Sequence, residues 1–232
     1  MVLVGLMGIK GSGKTTGADF LVKKYNFVEK SFAECLKKAC KELFLLSDEQ
    51  VFGTQEQKET PDPRWFNCTP RKILQFVGTE LLRDNLEKIM PGLGQNIFTH
   101  HFELWYQTEL KKNPNLRVII SDVRFKNEID FIQSLGGSVI KIDRPAAQTN
   151  DMHSSELELQ SITIYDHLIE NNGTVNDLYD NIDNFIDSFG LVLDENETFG
   201  NYEIVGRNDI HYYEEIDNYE EIRAPDEESL FD

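Results

Sequence analysis

The stretch Val2–Thr15, VLVGLMGIKGSGKT, decides the fold of this chain. Val2–Met7 is an apolar run that predicts a buried strand, and Gly8–Thr15 follows it directly and matches the phosphate-binding pattern G-x-x-x-x-G-K-[ST]. Glycines let the backbone curl until several N–H groups converge on one phosphate. An amphipathic helix is expected from Lys14 to Tyr25, with its positive N-terminal end at the same phosphate. The stretch therefore predicts a nucleoside-triphosphate site.

Each residue of this loop has an expected role. The Lys14 ammonium group would bridge the β- and γ-phosphates, and the Thr15 hydroxyl would bind Mg²⁺. The residues predicted to bind ATP here are Gly8, Lys10, Gly11, Ser12, Gly13, Lys14, Thr15 and Thr16. The alternative is a Gly- and Lys-rich turn without a ligand, and the flanking strand and helix argue against it.

Composition limits the class of protein. The 232 residues are 40% hydrophobic, which is enough for the core of one α/β domain with an appendage. No apolar run approaches the ~20 residues of a membrane span, and no signal peptide is visible, so a soluble, cytoplasmic protein without a membrane partner is expected. The net charge of −18 disfavours a nucleic-acid partner, which would need a cationic surface.

Acidic residues are unevenly distributed along the chain. Residues 194–232 contain fourteen Asp or Glu and two Arg, so this tail alone carries a charge of −12. The sequence predicts a P-loop domain over residues 1–190 and an acidic C-terminal extension over residues 191–232. A solvated solubility segment, a docking strand and an interaction tail all fit the composition of this extension.

Strand-like and helical segments alternate along residues 1–190, which predicts an α/β fold of three layers with a central parallel sheet flanked by helices. The expected strands are Val2–Met7, Phe27–Lys30, Leu116–Asp122, Ser138–Asp143 and Asp166–Ile169. The expected helices include Lys14–Tyr25, Ala33–Leu46, Pro70–Met90, Lys126–Leu135 and Thr174–Phe189. Residues 47–69 are polar and lack a clear period, so they predict a long loop or mobile insertion, and residues 145–160 predict a lid-like loop.

Ligands of such sheets bind beyond the carboxyl ends of the strands, so the chemistry is expected there. Asp122 ends a continuous apolar strand and is a candidate to bind Mg²⁺ or to position the nucleophile. Phosphoryl transfer also needs positive charge around the moving group, and arginines are well placed to supply it. The predicted catalytic residues are Lys14, Asp122, Arg124 and Arg144, and the predicted metal ligands are Thr15 and Asp122. A surface salt bridge is the alternative for Asp122 and for the arginines Arg71, Arg83, Arg124 and Arg144.

Several stretches resemble the deoxynucleoside monophosphate kinases of bacteriophages and large DNA viruses, within the wider P-loop nucleoside monophosphate kinase group. The matching stretches are Gly8–Thr16 with Ala18–Phe20, Arg71–Leu81, Asp122–Arg124 with Glu128, and Arg144–Pro145 leading to His153–Glu156. Together they span most of residues 1–190. The tail beyond Asp194 has no counterpart in the family pattern.

The resemblance implies the P-loop kinase fold, ATP with Mg²⁺ as the donor, and a deoxynucleoside monophosphate as the acceptor. It implies that the substrate-binding residues are Lys37, Arg71, Gln75, Thr79, Arg83 and Arg124. Arg144, at the mouth of the lid-like loop, would close over the phosphates. The stretch Ile169–Gly173 is similar to the turn that receives adenine in related kinases, which implies that Asn172 and Gly173 bind the base. An Asn-Gly turn required only by geometry is the alternative.

Two other functions remain open. Animal-type phosphomevalonate kinases share an Asp-x-Arg strand end and a closing Asn-x-Gly turn, so a non-nucleotide acceptor is one of them. The amide of Gln75 suits a base and argues against it. The other is an ATP-sensing switch or scaffold whose acidic tail binds a partner. The sequence leaves open which bases are accepted, whether ribonucleotides are rejected, and whether the chain forms a homodimer.

Overall fold

The computed structural model describes residues 1–147, 159 and 162–188. These residues contain a five-stranded sheet in the order β2-β3-β1-β4-β5, and all neighbouring strands are parallel. The strands are β1 (Val2–Met7), β2 (Val28–Lys30), β3 (Arg117–Val123), β4 (Ser138–Asp143) and β5 (His167–Glu170). The predicted parallel α/β sheet is therefore confirmed, with each strand within one residue of its expected position at either end.

Helices cover both faces of the sheet. They are α1 (Lys14–Tyr25), α2 (Glu34–Leu43), α3 (Asp48–Phe52), α4 (Gln55–Glu59), α5 (Pro70–Gln75), α6 (Ile97–Lys112), α7 (Lys126–Ser134) and α8 (Val175–Asp187). Single 3₁₀ turns occur at Pro63–Trp65, Leu86–Lys88 and Gly94–Asn96.

Alternate residues of the central strands feed two separate hydrophobic cores. In β3, Val118 and Ile120 pack with side chains of α2, α6 and α7, whereas Ile119 packs with side chains of α1 and α8. All three are fully buried, as expected of a parallel strand covered on both faces. The continuous apolar run Val118–Ile120 therefore belongs to the central sheet, which is the middle layer of the predicted three-layer fold.

Residues 47–69 differ from the loop that the sequence predicted. Two short helices begin there at capping boxes, in which Ser47 and Gln50 exchange hydrogen bonds, as do Thr54 and Gln57. The loop prediction was wrong because side-chain capping starts these helices, and so short a helix has no hydrophobic period to detect. The mobility of this insertion stays a prediction.

The helix expected over Pro70–Met90 is divided. The α-helix α5 ends at Gln75, and a π-helix continues from Phe76 to Asp84. In this segment the backbone of Gly78 approaches α2 so closely that a Cβ atom would lie 2.6 Å from Leu36 Cδ2. Segments of π-helix are rare and frequently lie at functional sites. The helix that carries the predicted acceptor-binding residues is therefore irregular where it meets α2.

Some predicted features lie largely outside the described residues. The lid-like segment 145–160 is described only at residues 145–147 and 159, and the acidic extension at 191–232 is outside altogether. The division of the chain into a domain and an extension therefore stays a prediction. Within the described ranges, no helix combines the length and the apolar character needed to cross a membrane.

Candidate active site

The segment between β1 and α1 forms a curled loop. Gly8, Gly11 and Gly13 have φ angles of 151°, 80° and 109°, which residues with side chains rarely adopt. A Cβ atom at Gly8 would collide with the carbonyl oxygen of Ile142 in β4. Helix α1 begins at Lys14, so its unpaired N–H groups and positive dipole end lie at this loop. These are the features of an anion-binding loop.

Lys14 and Ser12 provide polar groups at the same loop. The Nζ atom of Lys14 donates hydrogen bonds to the carbonyl oxygens of Gly8 (2.6 Å) and Ile9 (2.8 Å), so the ammonium group is held against the loop backbone. Ser12 Oγ is buried and has no hydrogen-bond partner among the described residues. Buried polar atoms normally have a partner, and a bound phosphate oxygen would provide one. The loop therefore fits a triphosphate.

Asn171 connects the end of β5 to the loop. Its side chain is buried, its backbone N–H donates to the carbonyl oxygen of Asp143 (2.7 Å), and its Nδ2 donates to the carbonyl oxygen of Ser12 (2.8 Å). The C=O and N–H of a trans peptide point in opposite directions. By holding the Ser12 carbonyl, Asn171 therefore also fixes the direction in which the N–H of Gly13 points.

Asn171 lies in the predicted adenine turn Ile169–Gly173 but was not among the predicted site residues. The predicted ATP-binding residues of this turn, Asn172 and Gly173, follow Asn171 directly and are both exposed in the structure. The available signal was the two-residue period of a strand, because Asn171 lies two residues after the buried Ile169 and so continues the same face. The roles of Asn172 and Gly173 stay predictions.

Asp122 lies near the carboxyl end of β3. This strand pairs with β1, so Asp122 is on the same edge of the sheet as the phosphate loop. Its Oδ1 accepts the N–H of Phe32 (2.9 Å), and its Oδ2 accepts the Ser31 hydroxyl and the N–H of Ala33 (3.3 Å). The carboxylate is thus held in one orientation by the chain segment that leads into α2.

Glu128 and Arg83 form a buried ion pair next to Arg124. Glu128 Oε1 accepts from Arg83 Nη2 (2.8 Å), and Glu128 Oε2 accepts the backbone N–H groups of Arg124 (2.8 Å) and Phe125 (3.2 Å). Burial raises the pKa of Glu128 to about 7, while the Arg83 charge acts in the opposite direction. Arg83, predicted to bind the substrate, is thus buried and held by a carboxylate.

Four of the other predicted substrate-binding residues lie on neighbouring helices, and the fifth, Arg124, follows β3. All are half-buried: Lys37 on α2, Arg71 and Gln75 on α5, Thr79 on the π-helix, and Arg124 after β3. Helix α4 holds Arg71, whose Nη2 donates to Gln55 Oε1 and whose Nε lies 3.1 Å from Glu59 Oε1. Lys37, Gln75 and Thr79 therefore lie on helices that pack together where the backbone of Gly78 approaches Leu36 of α2.

The remaining predicted residues lie at the phosphate-loop edge of the sheet. Lys10 and Thr15 are exposed, and Thr16 is half-buried. Arg144 is exposed and follows β4, which pairs with β1. In the part of the chain that the structure describes, no three His, Cys, Asp or Glu side chains group closely enough to hold a metal ion.

A glycine loop with a lysine between β1 and α1, on a parallel sheet whose neighbouring strand β3 carries a carboxylate near its end, defines the class of P-loop nucleotide-binding proteins. The family described as "Deoxynucleotide monophosphate kinase" matches residues 65–182, about half of the chain. The "Putative deoxynucleotide monophosphate kinase" of Acanthamoeba polyphaga mimivirus is 64% identical over 188 residues, which cover 81% of this chain and 97% of that protein. The chain therefore belongs to the deoxynucleotide monophosphate kinase family, and the resemblance seen in the sequence is confirmed.

More distant similarities extend to a bacteriophage protein and to solved structures. The deoxynucleotide monophosphate kinase of Enterobacteria phage T4 is 24% identical over 237 residues, covering 79% of this chain and 98% of that protein. Shikimate kinase from Aquifex aeolicus vf5 has a TM-score of 0.40 and 14% identity, covering 82% of this chain and 99% of that chain. Dephospho-CoA kinase from Campylobacter jejuni has a TM-score of 0.41 and 16% identity, covering 80% and 96%. The family assignment rests on the sequence matches, because these structural scores are low.

Proposed function

We propose that this chain transfers a phosphoryl group from ATP to a deoxynucleoside monophosphate and so forms the diphosphate. The observation that carries the proposal is the curled loop, with the Lys14 ammonium group against its backbone and the Ser12 hydroxyl buried without a described partner. Membership of the deoxynucleotide monophosphate kinase family and the names of its relatives support this class of acceptor.

The phosphate loop would hold the donor. ATP with Mg²⁺ supplies the phosphoryl group when bound, and Lys14 and the loop N–H groups would neutralise its phosphates. The hydroxyl of Thr15 and the carboxylate of Asp122 would bind Mg²⁺, directly or through water, since this ion usually keeps several waters and few protein ligands. The three hydrogen bonds that Asp122 accepts keep its carboxylate oriented for this role.

The acceptor would lie between α2, α5 and the π-helix. Lys37, Arg71 and Arg124 would bind its phosphate, because charge-assisted hydrogen bonds to phosphate are strong. Arg71 would exchange its contacts with Gln55 and Glu59 for this phosphate. The amide of Gln75 can donate to and accept from a base edge, with Thr79 beside it on the next turn.

Transfer would depend on arginines around the moving group. Arg124 follows the strand that carries Asp122, and Arg144 follows β4 on the same edge of the sheet. Their charges would stabilise the negative charge of the transferred group, which is the main demand of phosphoryl transfer on a protein.

The test is a coupled assay of ADP release with ATP and Mg²⁺. The acceptors are dTMP, dGMP, dCMP, dAMP, dUMP, the ribonucleotides and phosphomevalonate. Turnover of one or more deoxynucleotides is expected. Activity with phosphomevalonate alone would show that the acceptor is not a nucleotide. No ADP release with any acceptor would favour the ATP-sensing alternative. This assay does not test the predicted cytoplasmic location or the predicted lack of a nucleic-acid partner. It also leaves open whether the chain forms a homodimer.

A matched pair of variants tests the donor site. Lys14→Ala removes the ammonium group at the loop and should abolish turnover while the protein stays folded. Lys23→Ala removes an exposed lysine near the end of the same helix and should leave turnover unchanged. Full activity in folded Lys14→Ala would refute the assignment of the phosphate loop.

A further inference from the structure

The buried ion pair of Arg83 and Glu128 lies between two parts of the proposed site. Arg83 belongs to the π-helix on the acceptor side, and Glu128 belongs to the first turn of α7, directly after the strand end that carries Arg124. The side chains of Arg83 and Glu128 are only 8% and 3% exposed. The pair is thus a direct, solvent-shielded link between elements that are 45 residues apart in the sequence.

Glu128 fixes the backbone at the strand end. Its Oε2 accepts the N–H groups of both Arg124 and Phe125, where β3 gives way to α7. Hydrogen bonds from backbone N–H groups to a carboxylate are charge-assisted and stronger than neutral ones. The direction in which the chain leaves β3, and with it the position of Arg124, therefore depends on where the Glu128 carboxylate is held.

Arg83 fixes that carboxylate from the other side. Its Nη1 donates to the carbonyl oxygen of Gln95 (3.1 Å) while its Nη2 binds Glu128. Its guanidinium carbon lies 4.8 Å from the ring centre of Phe98 and 4.1 Å from that of Phe125. Two acceptors and two aromatic rings thus hold the guanidinium group in place.

Stability alone is a poor explanation for this pair. Moving two charges out of water has a large desolvation cost, and apolar residues of similar volume are often as stabilising as a buried ion pair. The location of the pair suggests another use, because one partner holds the Arg124 backbone and the other belongs to the helix that carries Thr79.

We propose that Arg83 and Glu128 form a positioning pair that sets the distance between Arg124 and the acceptor-binding side chains of α5 and the π-helix. This inference rests on the proposed function, since it concerns the acceptor side of the same site. A shift of the π-helix is transmitted through the pair to the backbone of Arg124. The pair acts without touching the substrate, which distinguishes this role from the direct substrate binding predicted for Arg83 from the family resemblance.

Two variants separate these roles. Glu128→Gln keeps one oxygen for the N–H groups of Arg124 and Phe125, but it puts an amide NH₂ toward Arg83 and breaks the ion pair. The double variant Arg83→Met with Glu128→Gln removes both charges and keeps an apolar chain between the rings. Both should bind ATP with Mg²⁺ like the wild type, in an equilibrium titration without acceptor. Both should raise the acceptor KM about tenfold or more and lower kcat, because small misplacements of reacting groups have large effects on rate.

A matched control lies on the same helix. Lys126 and Asp130 form an exposed ion pair at 2.5 Å in α7, and the double variant Lys126→Met with Asp130→Asn should leave acceptor KM and kcat unchanged. If the double variant of the buried pair fails to fold, Arg83→Lys replaces it, since a lysine keeps the charge but lacks the planar fork whose two terminal nitrogens reach Gln95 and Glu128. Arg83→Lys should then show an increase in acceptor KM with unchanged ATP affinity.

The outcomes are distinguishable. An active wild type and an equally active double variant would show that the pair is only structural and would overturn the inference. A loss of acceptor affinity in the double variant, with full affinity in Glu128→Gln, would instead assign Arg83 to direct substrate binding and would also overturn it. A folded wild type that turns over none of the acceptors would refute the proposed function itself.

Discussion

Replacing Asn171 by Asp should weaken the binding of ATP with Mg²⁺ while preserving the sheet and its helices. The two side chains have nearly the same shape, but Asp lacks the Nδ2 donor. A carboxylate oxygen would then face the carbonyl oxygen of Ser12, to which Nδ2 now donates at 2.8 Å. The new charge would also lie beside the phosphate loop, since Nδ2 is 2.6 Å from the place that a Cβ atom would take on Gly13.

The size of the effect follows from the buried hydrogen bond. Leaving the Ser12 carbonyl without its partner costs about 1–3 kcal/mol. If this energy supports the loop conformation that binds phosphate, its loss weakens the affinity for ATP by about 5- to 150-fold. Repulsion between the Asp carboxylate and a bound triphosphate acts in the same direction. We therefore expect the Kd to rise by roughly one to two orders of magnitude.

The assay is a calorimetric titration with a non-hydrolysable ATP analogue and Mg²⁺, accompanied by urea denaturation to establish that the variant is folded. Asn184→Asp is the matched control, because it adds the same charge at an exposed position near the C-terminal end of α8, away from the predicted adenine turn. A Kd for folded Asn171→Asp within about twofold of the wild type would refute the role of Asn171 in holding the loop.

Glu128 should make stability depend on pH: its pKa of about 7 in the folded state lies above the ordinary value of 4.5, so the free energy of unfolding should fall as the pH rises between these values. Urea denaturation at about pH 5 and about pH 8 should show that the wild type loses more unfolding free energy than the double variant Arg83→Met with Glu128→Gln. The prediction is contradicted if the difference in unfolding free energy between the two proteins is the same at both pH values. Gly13→Ala should reduce ATP affinity more than Asn171→Asp does, since its φ of 109° strains an alanine and the added Cβ would displace the Asn171 amide. The same calorimetric titration checks this, and wild-type affinity would be the contrary result. Deleting residues 193–232 should leave kcat and acceptor KM unchanged in the ADP-release assay, because every predicted site residue precedes this segment, and a clear loss of turnover would assign the extension a part in the reaction.

The phosphate loop and the sheet could be predicted because their signals are local. The spacing of Gly8, Gly13 and Lys14 is sufficient to predict the loop, since positive φ angles and a helix N-terminus are properties of a few consecutive residues. The buried run at Val118–Ile120 likewise indicates a strand covered on both faces, because each successive residue points to the opposite side of the sheet. The short helices at residues 47–69 were missed because a capping box is too brief a signal to outweigh a polar, Pro-containing segment.

The sequence by itself determined the α/β class, the phosphate loop and the carboxylate at the end of β3, since these depend on backbone conformation and on neighbouring residues. The tertiary structure alone decided that Asn171 binds the Ser12 carbonyl, 159 residues away, and that Arg83 is buried against Glu128. In the sequence, Arg83 is one arginine among several, and nothing local distinguishes a guanidinium group that faces a substrate from one enclosed by two aromatic rings. The physical reason is that burial and partner choice are set by packing between distant segments, which exists only once the chain has folded.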